Sequence, residues 1–195
     1  GGSNAPVVIA DISDSIQGSS STNQINWQGK EPDFFFSEDV PGQSFDSTIP
    51  FILPYDKWLE ANLSSVSYPV FSSVKNFLKA QNKSETLNFI KIQSDKLDFI
   101  DQLTNIKNAV LILSATNENF VASQRRFLFE LINNQVKTPV ILHQSYCEDN
   151  LENLQIKTSA DLGPIFVDGL GEGMFIQNTG AITEPELTNL ALGIL

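Results

Sequence analysis

Short runs of β-branched and aromatic residues recur along the chain, each closed by a turn signal. Residues 7–10, 33–36, 49–53, 68–71, 87–92, 109–113, 139–142 and 164–167 read as eight strands. Continuous apolar segments such as Val110-Leu111-Ile112-Leu113 suit strands covered on both faces, as in a parallel sheet under helices. Pro69 has no N–H to give a ladder, so it predicts that the fourth run is an edge strand or a strand start.

Helical spacing fills the gaps in the later part of the chain. Over residues 118–134, Phe120, Val121, Gln124, Phe127, Leu128, Leu131 and Ile132 form one stripe. Glu118, Arg125, Arg126 and Asn133 fall on the other side, and Asn117 is placed to cap the helix. Leu97, Ile100 and Leu103 predict a shorter helix over 95–103 with Ser94 as its cap. Phe71, Val74, Phe77 and Leu78 predict another over 71–79. Strand–helix alternation at this rhythm means βαβ units and an α/β fold.

The first third is different. Residues 13–32 are rich in Ser, Asn, Gln and Gly and show no crossover helix, with Ile16, Ile25 and Trp27 as their only apolar anchors. Eight strands predict a (β/α) barrel, but such barrels usually need about 250 residues, and this chain has 195. The expectation is a barrel-like sheet, closed or incomplete, with trimmed helices. Near the end, Thr183-Glu184-Pro185-Glu186 has the spacing of a capping box with proline in the first turn. Leu187, Leu190, Ala191 and Ile194 follow at helical spacing up to Leu195. This uncapped apolar finish, together with the opening Gly1-Gly2-Ser3-Asn4-Ala5, leads us to expect a piece of a longer protein. Residues 1–5 are then a linker or cloning remnant, and residues 6–195 a single α/β insertion domain.

Charge narrows the partners. The net charge is −11, from 23 acidic against 12 basic residues. Arg125-Arg126 is the only adjacent cationic pair, so neither nucleic acid nor an anionic membrane is expected to bind. No apolar run approaches the ~20 residues of a membrane span. One cysteine, Cys147, and one histidine, His143, leave no metal-binding cluster in the sequence.

Candidate chemistry is sparse, and each motif has a plainer reading. Val167-Asp168-Gly169-Leu170-Gly171-Glu172-Gly173 follows an apolar run as a phosphate-cradling loop would. Its spacing is G-x-G-x-G, however, and Met174-Phe175-Ile176 reads as another extended run, not a helix start. A tight turn with positive φ at the glycines is the better reading. His143 and Cys147 follow the strand at 139–142 and suggest a nucleophile pair, against a structural histidine and a small hydrophobe. Asp11 and Asp168 suggest paired carboxylates at a barrel mouth, against simple loop hydrogen bonding. Arg125 and Arg126 are expected on a solvated face with Glu118 and Glu130. The plainer reading is preferred throughout, so no catalytic, cofactor-binding or metal-binding residue is assigned.

Four segments taken together carry a resemblance. They are Asn108-Ala109-Val110-Leu111-Ile112-Leu113, Gln124-Arg125-Arg126-Phe127-Leu128-Phe129-Glu130-Leu131, Thr138-Pro139-Val140-Ile141-Leu142-His143, and Gly163-Pro164-Ile165-Phe166-Val167-Asp168-Gly169-Leu170-Gly171-Glu172-Gly173. In this order and spacing the chain resembles the long, three-domain form of the 4-hydroxy-3-methylbut-2-enyl diphosphate synthase family. The match covers residues 87–195 well; residues 6–12 are compatible and 13–86 match poorly. The resemblance implies the inserted barrel-like middle domain of an oxidoreductase of the non-mevalonate route to isoprenoids. It implies a cytoplasmic, homodimeric parent whose [4Fe-4S] cluster sits in another domain, with no cofactor in this one. The implied role is a spacer whose partners are the neighbouring domains of the parent chain. An independent domain binding a small molecule or phosphate through Asp11, His143 and the Gly169–Gly173 loop is the alternative. A docking module that recognises partners through its acidic surface is a third.

Overall fold

The computed structural model describes residues 5–17, 25, 27, 29–42, 47–61, 66–115 and 119–195. Eight parallel strands close into a barrel in sequence order. They are β1 (Val7–Asp11), β2 (Phe34–Phe36), β3 (Phe51–Pro54), β4 (Ser67–Phe71), β5 (Asn88–Gln93), β6 (Ala109–Ser114), β7 (Val140–Tyr146) and β8 (Gly173–Asn178). Closure is made by β8 on β1, with Val7 opposite Gly173 and Ile9 opposite Phe175.

Alternation sorts the side chains. Ile9, Phe36, Ile52, Val70, Phe89, Ile112, Ile141 and Phe175 pack together inside the barrel. The Phe34-Phe35-Phe36 run shows the period of two. Phe34 meets Phe89 edge-on at 5.4 Å and Phe36 meets Phe175 at 5.4 Å, both within the barrel. Phe35 faces outward instead, stacked on Trp27 at 5.7 Å.

The outer layer is uneven. α1 (Ser13–Gln17), α2 (Tyr55–Glu60), α3 (Val74–Lys79) and α4 (Ile100–Leu103) span four to six residues each. α5 (Phe120–Asn133), α6 (Leu151–Val167) and α7 (Glu184–Ile194) span 14, 17 and 11. The long helices bury the outer faces of the later strands in one large cluster. Around β1–β3, where helices are short, Trp27 and Trp58 lie against Ala10, Ile12, Phe35, Phe51 and Leu53. The Trp58 Nε1–H donates to Ser67 O at 3.2 Å, which ties this cover to β4. The barrel therefore closes with trimmed helices, and indole rings cover part of what helices would.

Several expectations need correcting. Residues 164–167 are the last turn of α6, and the eighth strand is the run that starts at Gly173 and includes Met174-Phe175-Ile176. A short apolar run fits a strand or a buried helix end equally well. The arbiter here is the stripe Leu154, Thr158, Leu162 and Ile165, all buried. Pro69 stands inside a closed barrel, not at an edge. The β4–β5 ladder begins one residue later, at Val70↔Phe89, so the proline marks the start of that pairing. The helix expected over 95–103 shrinks to α4, and the Ser94 hydroxyl pairs with Ser123 Oγ at 2.8 Å instead of capping it. The helix expected over 71–79 begins at Val74, capped by Ser73, because Phe71 belongs to β4. Asn117 and Glu118 lie outside the described residues, and the cap position of α5 is Asn119. Ile132 belongs to the exposed side of α5, at 54% exposure.

Candidate functional site

At the C-terminal ends of the strands, the inward positions turn polar: Asp11, Lys91, Ser114, His143 and Gln177 continue the interior rows of Ile9, Phe89, Ile112, Ile141 and Phe175. Four of them form a chain of hydrogen bonds across the mouth. Gln177 Nε2–H donates to Asp11 Oδ2. An ionised carboxylate only accepts, so the Gln177 amide is fixed with its oxygen toward His143. Gln177 Oε1 lies 2.8 Å from His143 Nε2, which must then carry the proton. His143 Nδ1 is left as an acceptor and takes the Ser114 hydroxyl at 2.7 Å. The imidazole stacks on Phe175 at 4.7 Å.

The chain continues on the β1 side. Asp11 Oδ1 accepts from the backbone N–H of Ser13 at 3.0 Å and from its hydroxyl. Ser13 Oγ in turn accepts from Glu38 N–H at 3.0 Å. Lys91 lies over the Phe36 ring at 4.7 Å and 3.9 Å from Glu38. At the start of α7, Glu184 Oε2 accepts from Asp11 N–H at 3.1 Å. These contacts link β6, β7, β8 and β1 to α7 and to the segment after β2.

Electrostatics follow from this enclosure. Burial holds the His143 imidazole below its ordinary 6.5; the Gln177 hydrogen bond opposes this, the Lys91 charge adds to it, and Asp11 opposes it. Burial, then the nearby Asp11 charge, pushes the Glu184 carboxyl up to about 8, against the Asp11 N–H that it accepts. His143 is thus neutral at neutral pH and holds one tautomer.

The predicted pairs do not assemble. Cys147 lies beyond the end of β7 and is exposed, four residues past His143, roughly 13 Å along an extended chain. The partners of His143 are Ser114 and Gln177, which sequence reading did not single out. Each continues an inward row by one polar residue, but β6 and β8 read as continuous apolar runs, so only the register picks these two out. Asp168 sits at the opposite rim, at the C-cap of α6, where it pairs with Arg125. Arg125 also donates to Pro164 O at 3.3 Å, so it joins α5 to α6 although its side chain stays 38% exposed. The carboxyl beside Asp11 is Glu184.

The glycine-rich segment also lies at that opposite rim. Gly169 N–H donates to Phe166 O at 2.8 Å and Leu170 N–H to Ile165 O at 3.1 Å, which ends α6 in a Schellman turn. Gly169 and Gly171 take φ of 72° and 82°. At Gly173 an added Cβ would stand 2.5 Å from Val7 O, so the last glycine allows β8 to approach β1. The tight-turn reading holds, and its amides serve the fold. Among the described residues, no three His, Cys, Asp or Glu side chains group so as to hold a metal ion.

The barrel and its mouth define the class: a parallel eight-stranded (β/α) barrel domain of the TIM type. Comparison with known proteins gives the family. The chain is 30% identical over 197 aligned positions to the 4-hydroxy-3-methylbut-2-en-1-yl diphosphate synthase (flavodoxin) of Phocaeicola vulgatus, covering all of this chain and 30% of that protein. It is 26% identical over 196 positions to the protein of the same name from Bacteroides thetaiotaomicron, with the same coverage. Its likeness to the Parabacteroides distasonis protein is 35% over 98 residues, 48% of this chain and 16% of that protein. No protein-family model matches, and no solved structure does. The chain belongs to the 4-hydroxy-3-methylbut-2-enyl diphosphate synthase family and spans about 30% of the length of the curated relatives that it matches in full.

Proposed function

We propose that residues 6–195 form a single inserted domain that holds the working parts of a 4-hydroxy-3-methylbut-2-enyl diphosphate synthase in place. In this reading the parent is an oxidoreductase of isoprenoid precursor synthesis, homodimeric and cytoplasmic, with its [4Fe-4S] cluster in another domain. The observation that carries the proposal is the mouth. The groups that would do chemistry at the end of a (β/α) barrel are here bonded to one another, from Ser114 through His143 and Gln177 to Asp11. A neutral imidazole with both nitrogens engaged, and a carboxylate engaged through both oxygens, stiffen the barrel end.

The outer surface offers a place for neighbours to pack. Phe129 and Ile132 stand four and seven residues after Arg125, on the same side of α5, the side by which Arg125 reaches the end of α6. They are 48% and 54% exposed, and Val167 at the end of α6 is 87% exposed. Large apolar side chains grouped on a surface suit contact with another domain of the same polypeptide.

The test is the full-length parent with and without residues 6–195, each form reconstituted with its cluster. Deletion is expected to abolish turnover while cluster content and substrate binding survive. Loss of substrate binding on deletion would place the chemistry in this barrel and overturn the proposal.

A further inference from the structure

Where β4 and β5 end, the chain leaves a cavity of about 440 Å³ beside the barrel mouth. Ser72, Ser73 and Lys75 come from the segment after β4, Lys91 and Gln93 from the end of β5, and Lys96 from the segment beyond it. The cavity is thus built from two adjacent βα segments at the C-terminal rim, the face where barrels of this type bind ligands. It does not overlap the Ser114–His143–Gln177–Asp11 chain.

Its lining is cationic in an acidic protein. Three of the 12 basic residues line it against one carboxylate, Asp98, although the chain carries a net charge of −11. Lys75 and Lys96 make no ion pair among the described residues, whereas the Lys91 ammonium lies over Phe36, 3.9 Å from Glu38, so the cavity's free charge comes from Lys75 and Lys96. Two hydroxyl donors are also available. Ser72 Oγ accepts from Asn76 Nδ2–H at 2.7 Å and Ser73 Oγ from Asn76 N–H at 3.2 Å. Each oxygen is engaged as an acceptor, so each hydroxyl hydrogen is left for an acceptor placed in the cavity. One group asks for the reverse. Gln93 Oε1 is buried with no hydrogen-bond partner among the described residues, a position that a ligand hydroxyl would satisfy.

We propose that this cavity binds a small hydroxylated phosphate ester, its phosphate held by Lys75 and Lys96 with the Ser72 and Ser73 hydroxyls, and a hydroxyl of its carbon skeleton donating to Gln93 Oε1. The volume falls within the roughly 300–1,000 Å³ of small-molecule sites and leaves room for a short carbon chain beside the phosphate. This goes beyond the positioning role and does not depend on it.

The barrel closes around its own core, so the 195-residue chain can be titrated directly. Amide NMR shifts are followed with inorganic phosphate and, separately, with glycerol phosphate, at ionic strength held constant by chloride. Saturable shifts confined to residues 72–75, 91–96 and 102 are expected for both, with the ester the tighter ligand. The K75M/K96M variant, altered at two exposed positions, is expected to bind both roughly tenfold more weakly. Gln93→Leu should remove the preference for the ester while leaving inorganic phosphate binding unchanged. Absence of saturable shifts, shifts spread over the surface, equal affinity for the two ligands, or undiminished binding by K75M/K96M at an unchanged urea midpoint each overturn the proposal.

Discussion

Glu184 opens α7 beside the barrel mouth, and two influences compete over its charge. The first turn of a helix favours a negative side chain by roughly 0.3–1 kcal/mol. Burial, followed by the Asp11 and Asp14 charges, disfavours it more strongly, and the carboxyl is pushed from an ordinary 4.5 up to about 8. Between those two values the folded chain holds a proton that the unfolded chain has released. The stabilisation is therefore fully present below about pH 4.5 and is lost as the pH rises through about 8. The interval, 8 minus 4.5, multiplied by about 1.36 kcal/mol per unit, sets an upper bound of about 5 kcal/mol. Solvent reaches this half-buried side chain, so about 2–3 kcal/mol is the expected effect. Glu184→Gln keeps an oxygen for the Asp11 N–H and removes the titration. Urea unfolding of both proteins at about pH 5 and about pH 9 should show near-equal stability at the lower pH and a variant about 2–3 kcal/mol more stable at the higher. Taking the difference between the two proteins cancels the other titrating groups, including Asp161, whose pKa burial also raises. A stability difference that is the same at both pH values would refute the reasoning.

Three further outcomes follow from named contacts. Because His143 is held below its ordinary 6.5, the unfolded chain binds its proton first; the stability it contributes is intact above 6.5 and falls as the pH drops below it. His143→Gln should flatten that part of the stability–pH curve, and ¹⁵N NMR of the parent imidazole should show a proton on Nε2 only. Gln177→Met removes hydrogen bonds to both His143 and Asp11 and should cost about 2–3 kcal/mol in urea unfolding, whereas a loss below about 0.5 kcal/mol would mean that the mouth chain does not brace the barrel. Gln135 ends α5 at φ 57°, with Gln135 N–H donating to Ile132 O and Val136 N–H to Leu131 O, so Gln135→Gly should add about 1 kcal/mol to stability, seen as a higher thermal midpoint.

What could be read in the sequence depended on whether local pattern and tertiary role agreed. Seven of the eight strand positions were legible because β-branched and aromatic runs were flanked by turn residues, as at Ala109–Ser114. The long helix α5 was legible from its stripe, although Ile132 fell on the wrong side of it. Residues 164–167 misled because a short apolar run of this length fits a strand or a buried helix end equally well. In the structure Gly163 meets nothing that would require a glycine, and Pro164 is tolerated inside α6, three residues before the helix ends. The mouth was only half legible. Asp11 and His143 stood out as residue types, but Gln177 and Ser114 became meaningful only through register. Ser114 pairs with His143 across β6–β7, and Gln177 is two residues past Phe175, itself opposite His143.

The uneven cladding and the bonded mouth belong together. A (β/α) barrel of the usual size, about 250 residues, braces its strands from outside with eight helices. Here α1–α4 are too short to do so, and β2 and β3 contribute three and four residues. Rigidity must then come from elsewhere. On the β1–β3 side it comes from aromatic packing, with Trp27 on Phe35 and Phe35 on Phe51 at 5.7 Å each. At the C-terminal rim it comes from the polar chain that runs from Ser114 on β6 to Asp11 on β1 and then, through Ser13, to the Glu38 amide just after β2. That chain spans the junction between the well-clad strands and the poorly clad ones. A barrel that uses its mouth residues for this purpose commits them to bracing, which is the feature on which the proposed positioning role rests.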